Sequence, residues 1–178
     1  MNYILIMTEG KTELAFLNIL LEKGILKFST EELLMDKIFH SRQIDGEIKG
    51  YIQQVDYKDK VFIYRVGDKL SDKLTIPSSI LPEKIGGVID ISTTPEFEVL
   101  FLLNEDLYDE FLKVKSTVKA SEFYKMNHKG YGKQSKFVTN YFDTMTNEEI
   151  ISLIDLYSRK HGKTIKKHQK TLKEIIKY

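Results

Sequence analysis

The 178-residue chain has no cysteine, which excludes disulfides, thiolate zinc sites and cysteine nucleophiles and makes a reducing compartment the expected setting. Its four histidines, His40, His128, His161 and His168, lack metal-ligand spacing and read as surface or tail residues. No apolar run approaches the length needed to span a bilayer. The opening Met1–Met7 stretch has no basic flank and runs directly into Thr8 and Glu9, so it does not read as a signal peptide. The expected location is therefore cytoplasmic, without a membrane partner. A glycine-rich phosphate cradle is missing as well. Gly10-Lys11-Thr12 resembles the end of a P-loop, but the required first glycine falls at Leu5, so no amide nest for phosphates forms and no ATPase motif exists.

What is present is enough apolar material, 42% of residues, for one conventional core. Net charge is only +1, yet residues 159–178 hold eight Lys or Arg against a single acid, Glu174, leaving the remaining body acidic. Such segregation points to a cationic arm and an acidic body with different ligands. Arg159, Lys163, Lys166, Lys170, Lys173 and Lys177 step by three or four, which predicts one stripe on a basic helix over 159–178. Ile165, Leu172 and Ile176 form a narrower apolar line on the same segment. Such a stripe suits the phosphates of a nucleic acid first, and also an anionic membrane surface or an acidic partner. Tyr124, Tyr131, Phe137, Tyr141 and Phe142 interleave with lysines; they read either as base-stacking platforms or, more commonly, as helix core.

Short apolar runs at Tyr3–Met7, Val61–Val66 and Val88–Ile91 read as buried strands, and Asp36–Ile44 has extended character. Between them, Leu14, Leu17, Leu20 and Leu21 recur at helical spacing, with Thr12 as the expected N-cap and Gly24 as the stop. A second helix is expected at Glu47–Val55. From Glu96 onward the pattern is helical, and Thr146-Asn147-Glu148-Glu149 is a capping box opening a long helix. The expected fold is α/β, a mostly parallel four-stranded sheet flanked by helices, with a helical C-terminal part. The division expected is an α/β domain over residues 1–158 followed by the basic helix.

In open parallel sheets, ligands bind beyond the carboxyl ends of the strands. Glu9 follows the first strand, Asp68 the third, and Glu98 the fourth; Glu13 lies one helical turn after Glu9, and Asp72 lies in the loop after Asp68. Carboxylates delivered to one edge repel unless they share a cation, and an all-oxygen set selects a hard ion such as Mg2+ or Mn2+.

The segment Ile4-Leu5-Ile6-Met7-Thr8-Glu9-Gly10-Lys11-Thr12-Glu13 resembles the opening motif of Toprim domains, the catalytic folds of topoisomerases, primases and overcoming-lysogenization-defect nucleases. Ser92-Thr93-Thr94-Pro95-Glu96-Phe97-Glu98 and Gly130-Tyr131-Gly132-Lys133 are similar to elements of the RloB-like branch. The resemblance implies a metal-dependent nuclease in phage defence or mobile-element conflict, beside a separate ATPase subunit. It implies Glu9 and Asp68 as catalytic residues and metal ligands, with Lys133 as a charge-stabilising group; Glu13, Asp72 and Glu98 are the further carboxylates expected to complete the ligand set. Lys129, Lys133, Arg159, Lys163, Lys166, Lys170 and Lys173 would contact DNA or RNA. One departure stands out: where the family has the first aspartate of Asp-x-Asp, this chain has Val66. The alternative is thus a non-catalytic Toprim-like module that binds nucleic acid or a partner protein.

Overall fold

The computed structural model describes all residues except Met1, Lys69, Ser71, Lys133, Gln134 and Tyr178. Four strands, β1 (Asn2–Thr8), β2 (Phe39–His40), β3 (Lys60–Gly67) and β4 (Ile85–Ser92), form one sheet in the order β2-β1-β3-β4. Every pairing is parallel. The expected α/β class is therefore observed. The extended stretch predicted over Asp36–Ile44 contributes only a two-residue edge strand.

Successive side chains of a strand point to opposite faces. Ile4 and Ile6 of β1 join one apolar cluster with Tyr64, Val66 and Ile91, while Leu5 and Met7 join a second with Val61 and Ile63. Both faces are covered, which is why these strands read as continuous apolar runs. Helix α2 (Gly46–Gln54) covers the second face through Ile48 and Ile52, its first turn capped by Asp45, which accepts from Ile48 N at 2.9 Å. The first face is covered by α1 (Lys11–Glu22), α3 (Val99–Asn104), α4 (Tyr108–Val114), α5 (Ala120–Asn127), α6 (Ser135–Asp143) and α7 (Asn147–His161).

The turn chemistry explains the helix ends. Gly10, not Thr12, is the N-cap of α1, and Gly24 ends that helix with a φ of +67°, a conformation glycine adopts at no steric cost. Thr146 Oγ1 accepts from Glu149 N at 3.2 Å while Glu149 returns the bond to Thr146 N at 2.7 Å, completing the predicted capping box.

One expectation is corrected and one open alternative is decided. Residues 162–177 are not a basic helix: α7 ends at His161, and the chain then turns back along the edge of the sheet, with only a short 3-10 turn at Leu172–Ile175. Lys170 bonds the backbone of β4 from both sides, donating to Asp90 O and accepting from Ser92 N, each at 2.8 Å. Leu172, Ile175 and Ile176 are buried in the main core, and Ile176 bridges to Leu26. Burial of these three apolar residues outweighs the helical spacing of the lysines, so no single cationic stripe exists. Arg159 sits on α7, paired with Asp155 at 2.9 Å, and Lys173 also pairs with Asp155; Lys163, Lys166 and Lys170 are exposed. The aromatics follow the more common of their two readings. Tyr124, Tyr131 and Phe142 are buried, and they pack with Phe101, Phe137 and Tyr141 in one ring cluster, so these residues form core and not a stacking platform.

Candidate carboxylate site at the sheet edge

The parallel register sets Thr8 beside Val66 and Gly67 beside Ser92, so three strands end side by side. Hydrogen bonding continues one residue further: Glu9 N donates to Val66 O at 2.9 Å and Thr93 N to Gly67 O at 3.0 Å. The side chains that leave these strand ends meet in an open cleft of about 800 Å³. Glu9, Glu13, Asp68, Glu96 and Glu98 line it, with Arg42, Lys11, Lys119, Lys125 and Tyr131. Four of the five predicted metal ligands therefore share one space. Asp72 does not line this cleft; it is exposed and lines an adjoining depression that it shares with Glu9, Arg42 and Arg65, and its carbonyl accepts from Arg65 Nη1 at 2.9 Å.

Each carboxylate is held differently. Glu9 pairs with the Arg42 guanidinium at 2.8 Å; the glutamate side chain is 7% exposed and the arginine 67%. Gly67 makes room for Glu9, and Gly10 for the carboxylate of Glu13: a Cβ at either glycine would collide with the acid. Glu13 is buried in the first turn of α1 and accepts from Thr93 Oγ1 at 3.3 Å. Burial pushes its pKa above the ordinary value, and the negative charges of Asp68 and Glu98 push the same way. Glu98 is 4% exposed and accepts from the Tyr131 hydroxyl at 2.8 Å. That phenol is itself raised, by burial first and by the Glu98 carboxylate second. Below them, Tyr157 is fully buried and donates to Thr94 O at 2.9 Å.

The donor set fits a hard cation in kind: carboxylate oxygens, a buried glutamate carrying excess negative surroundings, and glycines that clear space for two of the acids. Among the described residues, no three His, Asp or Glu side chains are arranged to hold one ion together. Closing such a shell requires side-chain rotation, with Glu9 leaving Arg42.

Sequence reasoning missed Arg42, Tyr131 as a partner of Glu98, and the lysines Lys11, Lys119 and Lys125. Arg42 sits in a loop with no motif of its own, and only the spatial return of β2 beside β1 reveals it. Lys129 is exposed but does not line the cleft, and Lys133 lies outside the described residues. The histidine reading also needs correction for His161, which is buried between Tyr108 and Tyr157. No helix among the described residues is long and apolar enough to cross a membrane. Comparison with known protein families, curated proteins and solved structures finds no match.

Proposed function

We propose that the protein is a divalent-metal-dependent nuclease of Toprim type, acting on phosphodiesters at the edge of its parallel sheet. The observation that carries this reading is the convergence of Glu9, Glu13, Asp68 and Glu98, from three strand ends, on one cleft that also holds Lys11, Lys119 and Lys125. These four acids would hold the Mg2+ or Mn2+ ion, whose contribution is to polarise a phosphate oxygen and stabilise the leaving oxygen. Thr93 and Tyr131 fix the orientation of Glu13 and Glu98 through their hydroxyls. The three lysines supply positive charge for the nucleic-acid backbone, and because the acids of the same lining, Glu96 and Glu122 among them, outnumber the bases, the bound cation would supply the rest. Glu9 serves as ligand or general base. Any coupling to ATP comes from a separate subunit.

One observation favours the second reading, a non-catalytic nucleic-acid or partner-binding module. Val66, at the place of the family's first aspartate, is 1% exposed and packed in the core. The two readings separate on one measurement, cleavage of labelled DNA and RNA by the purified protein with Mg2+, Mn2+ or chelator. The nuclease reading expects metal-dependent cleavage that falls by roughly 100-fold or more in Glu9→Gln, Asp68→Asn and Glu98→Gln. Binding without cleavage under every metal condition would leave the module reading in its place.

A further inference from the structure

A buried acid paired with an exposed base is an asymmetric contact. Glu9 is enclosed, backed by Gly67 and anchored through its own amide to Val66, whereas the Arg42 side chain is largely in solvent. The pair therefore opens from the arginine side. The loop carrying Arg42 is itself fixed: Ser41 Oγ donates to Gln43 O at 2.6 Å, and Gln43 Oε1 accepts from Thr75 N at 2.9 Å. Only the side chain of Arg42, not its backbone, is placed to swing. Arg42 lines both the carboxylate cleft and an adjoining depression, and that depression holds a second acid, Asp72, beside Glu9 and Arg65.

Resting on the reading of the cleft as a cation site, we propose that Arg42 is an intramolecular stand-in cation that gates it. The guanidinium neutralises Glu9, and a divalent ion gains Glu9 as a ligand only by displacing Arg42. A monovalent, broad guanidinium cannot draw several carboxylates to one point as a small divalent ion does. The pairing therefore accounts for the position of Glu9, which the guanidinium holds to itself. The gate raises the divalent-ion concentration at which the site half-fills by roughly fivefold, with Glu9 paired to Arg42 below it.

Titration calorimetry with Mn2+ alone, together with paramagnetic resonance of the bound ion, tests this on the full chain. The wild type is compared with Arg42→Ala, Arg42→Gln and Glu9→Gln. With its arginine in solvent, the pair contributes about 1 kcal/mol, so removing the arginine is expected to tighten Mn2+ binding by roughly fivefold in both Arg42 variants. In the wild type, saturating Mn2+ should speed modification of Arg42 by phenylglyoxal, read by peptide mass spectrometry, because the guanidinium has been released. Glu9→Gln should abolish that acceleration. Unchanged or weaker Mn2+ affinity in both Arg42 variants, with clear binding in the wild type, overturns the gate while leaving the cation site standing. No Mn2+ binding in any variant overturns the cation site itself, and the gate with it.

Discussion

Gly67 and Glu9 stand back to back: a methyl group added at 67 would lie 2.5 Å from Glu9 Oε2 and 2.6 Å from its Cβ. Both separations are far below ordinary contact, and the strand end on which Gly67 sits is hydrogen-bonded on both sides. Gly67→Ala is therefore expected to push Glu9 off its position and cost roughly 1–3 kcal/mol of stability. Divalent binding should fall with it. Gly87→Ala is the matched control, because its added methyl meets only Phe62 Cδ1 at 3.8 Å. Chemical denaturation of the two variants checks the contrast; equal stability would mean that Glu9 yields at no cost.

Glu13 has a folded pKa raised above its ordinary value of 4.5, so between the two values the folded state binds more protons than the unfolded state. Its contribution to stability is fully present below 4.5 and is lost as pH rises through the raised value. Ionised Glu13 thus weakens the fold at neutral pH in the absence of a cation. Glu13→Gln, which keeps an acceptor for Thr93, is expected to stabilise the metal-free protein by roughly 0.5–2 kcal/mol at pH 7.5 and to abolish stabilisation by Mn2+. Melting curves in chelator and in Mn2+ measure both effects.

His161 titrates in the other sense. Burial depresses its pKa below 6.5, with Lys160 and Lys115 adding to the effect. The unfolded state then binds the extra proton, so the histidine's contribution is present above pH 6.5 and lost as pH falls through the depressed value. Replacing it by phenylalanine should flatten the dependence of stability on pH between about 7 and 5. An unchanged slope would place the acid sensitivity of the fold elsewhere.

Residues 170–177 are structural, and the prediction for them follows from which side chains they bury. Leu172 and Ile175 are 1% and 0% exposed. Leu172→Ala is expected to cost about 2–5 kcal/mol, whereas Lys163→Ala and Lys166→Ala, both exposed, should stay within about 0.5 kcal/mol. Denaturant midpoints of the three variants decide it. A neutral Leu172→Ala would return the segment to the role of an appended arm.

The strands and most helices were legible because each has a local cause. Tyr3–Met7 and Val61–Val66 are apolar on both faces, Thr146 and Glu149 cap each other, and Gly24 takes a positive φ. The edge location of Glu9, Asp68 and Glu98 was legible for the same reason, since strand ends in a parallel sheet are fixed by strand order. Arg42 and Tyr131 were not, because their partners lie 33 positions away in each case, and no spacing rule connects them. The segment after His161 misled because its lysines repeat at helical spacing while its three apolar residues find partners on β4 and beside Leu26. Tertiary burial overrode the local pattern.

The contact between Ile176 and Leu26, with Lys177 N donating to Ile25 O and Lys27 N to Ile175 O, ties the region following α1 to residues made some 150 positions later. During synthesis the covering of Leu26 therefore waits until residues 170–177 arrive. Closure of loops this long is slow compared with helix formation. Partly made chains therefore expose the apolar surface that Leu172, Ile175 and Ile176 cover, and the vulnerable period for aggregation is the interval before these residues dock.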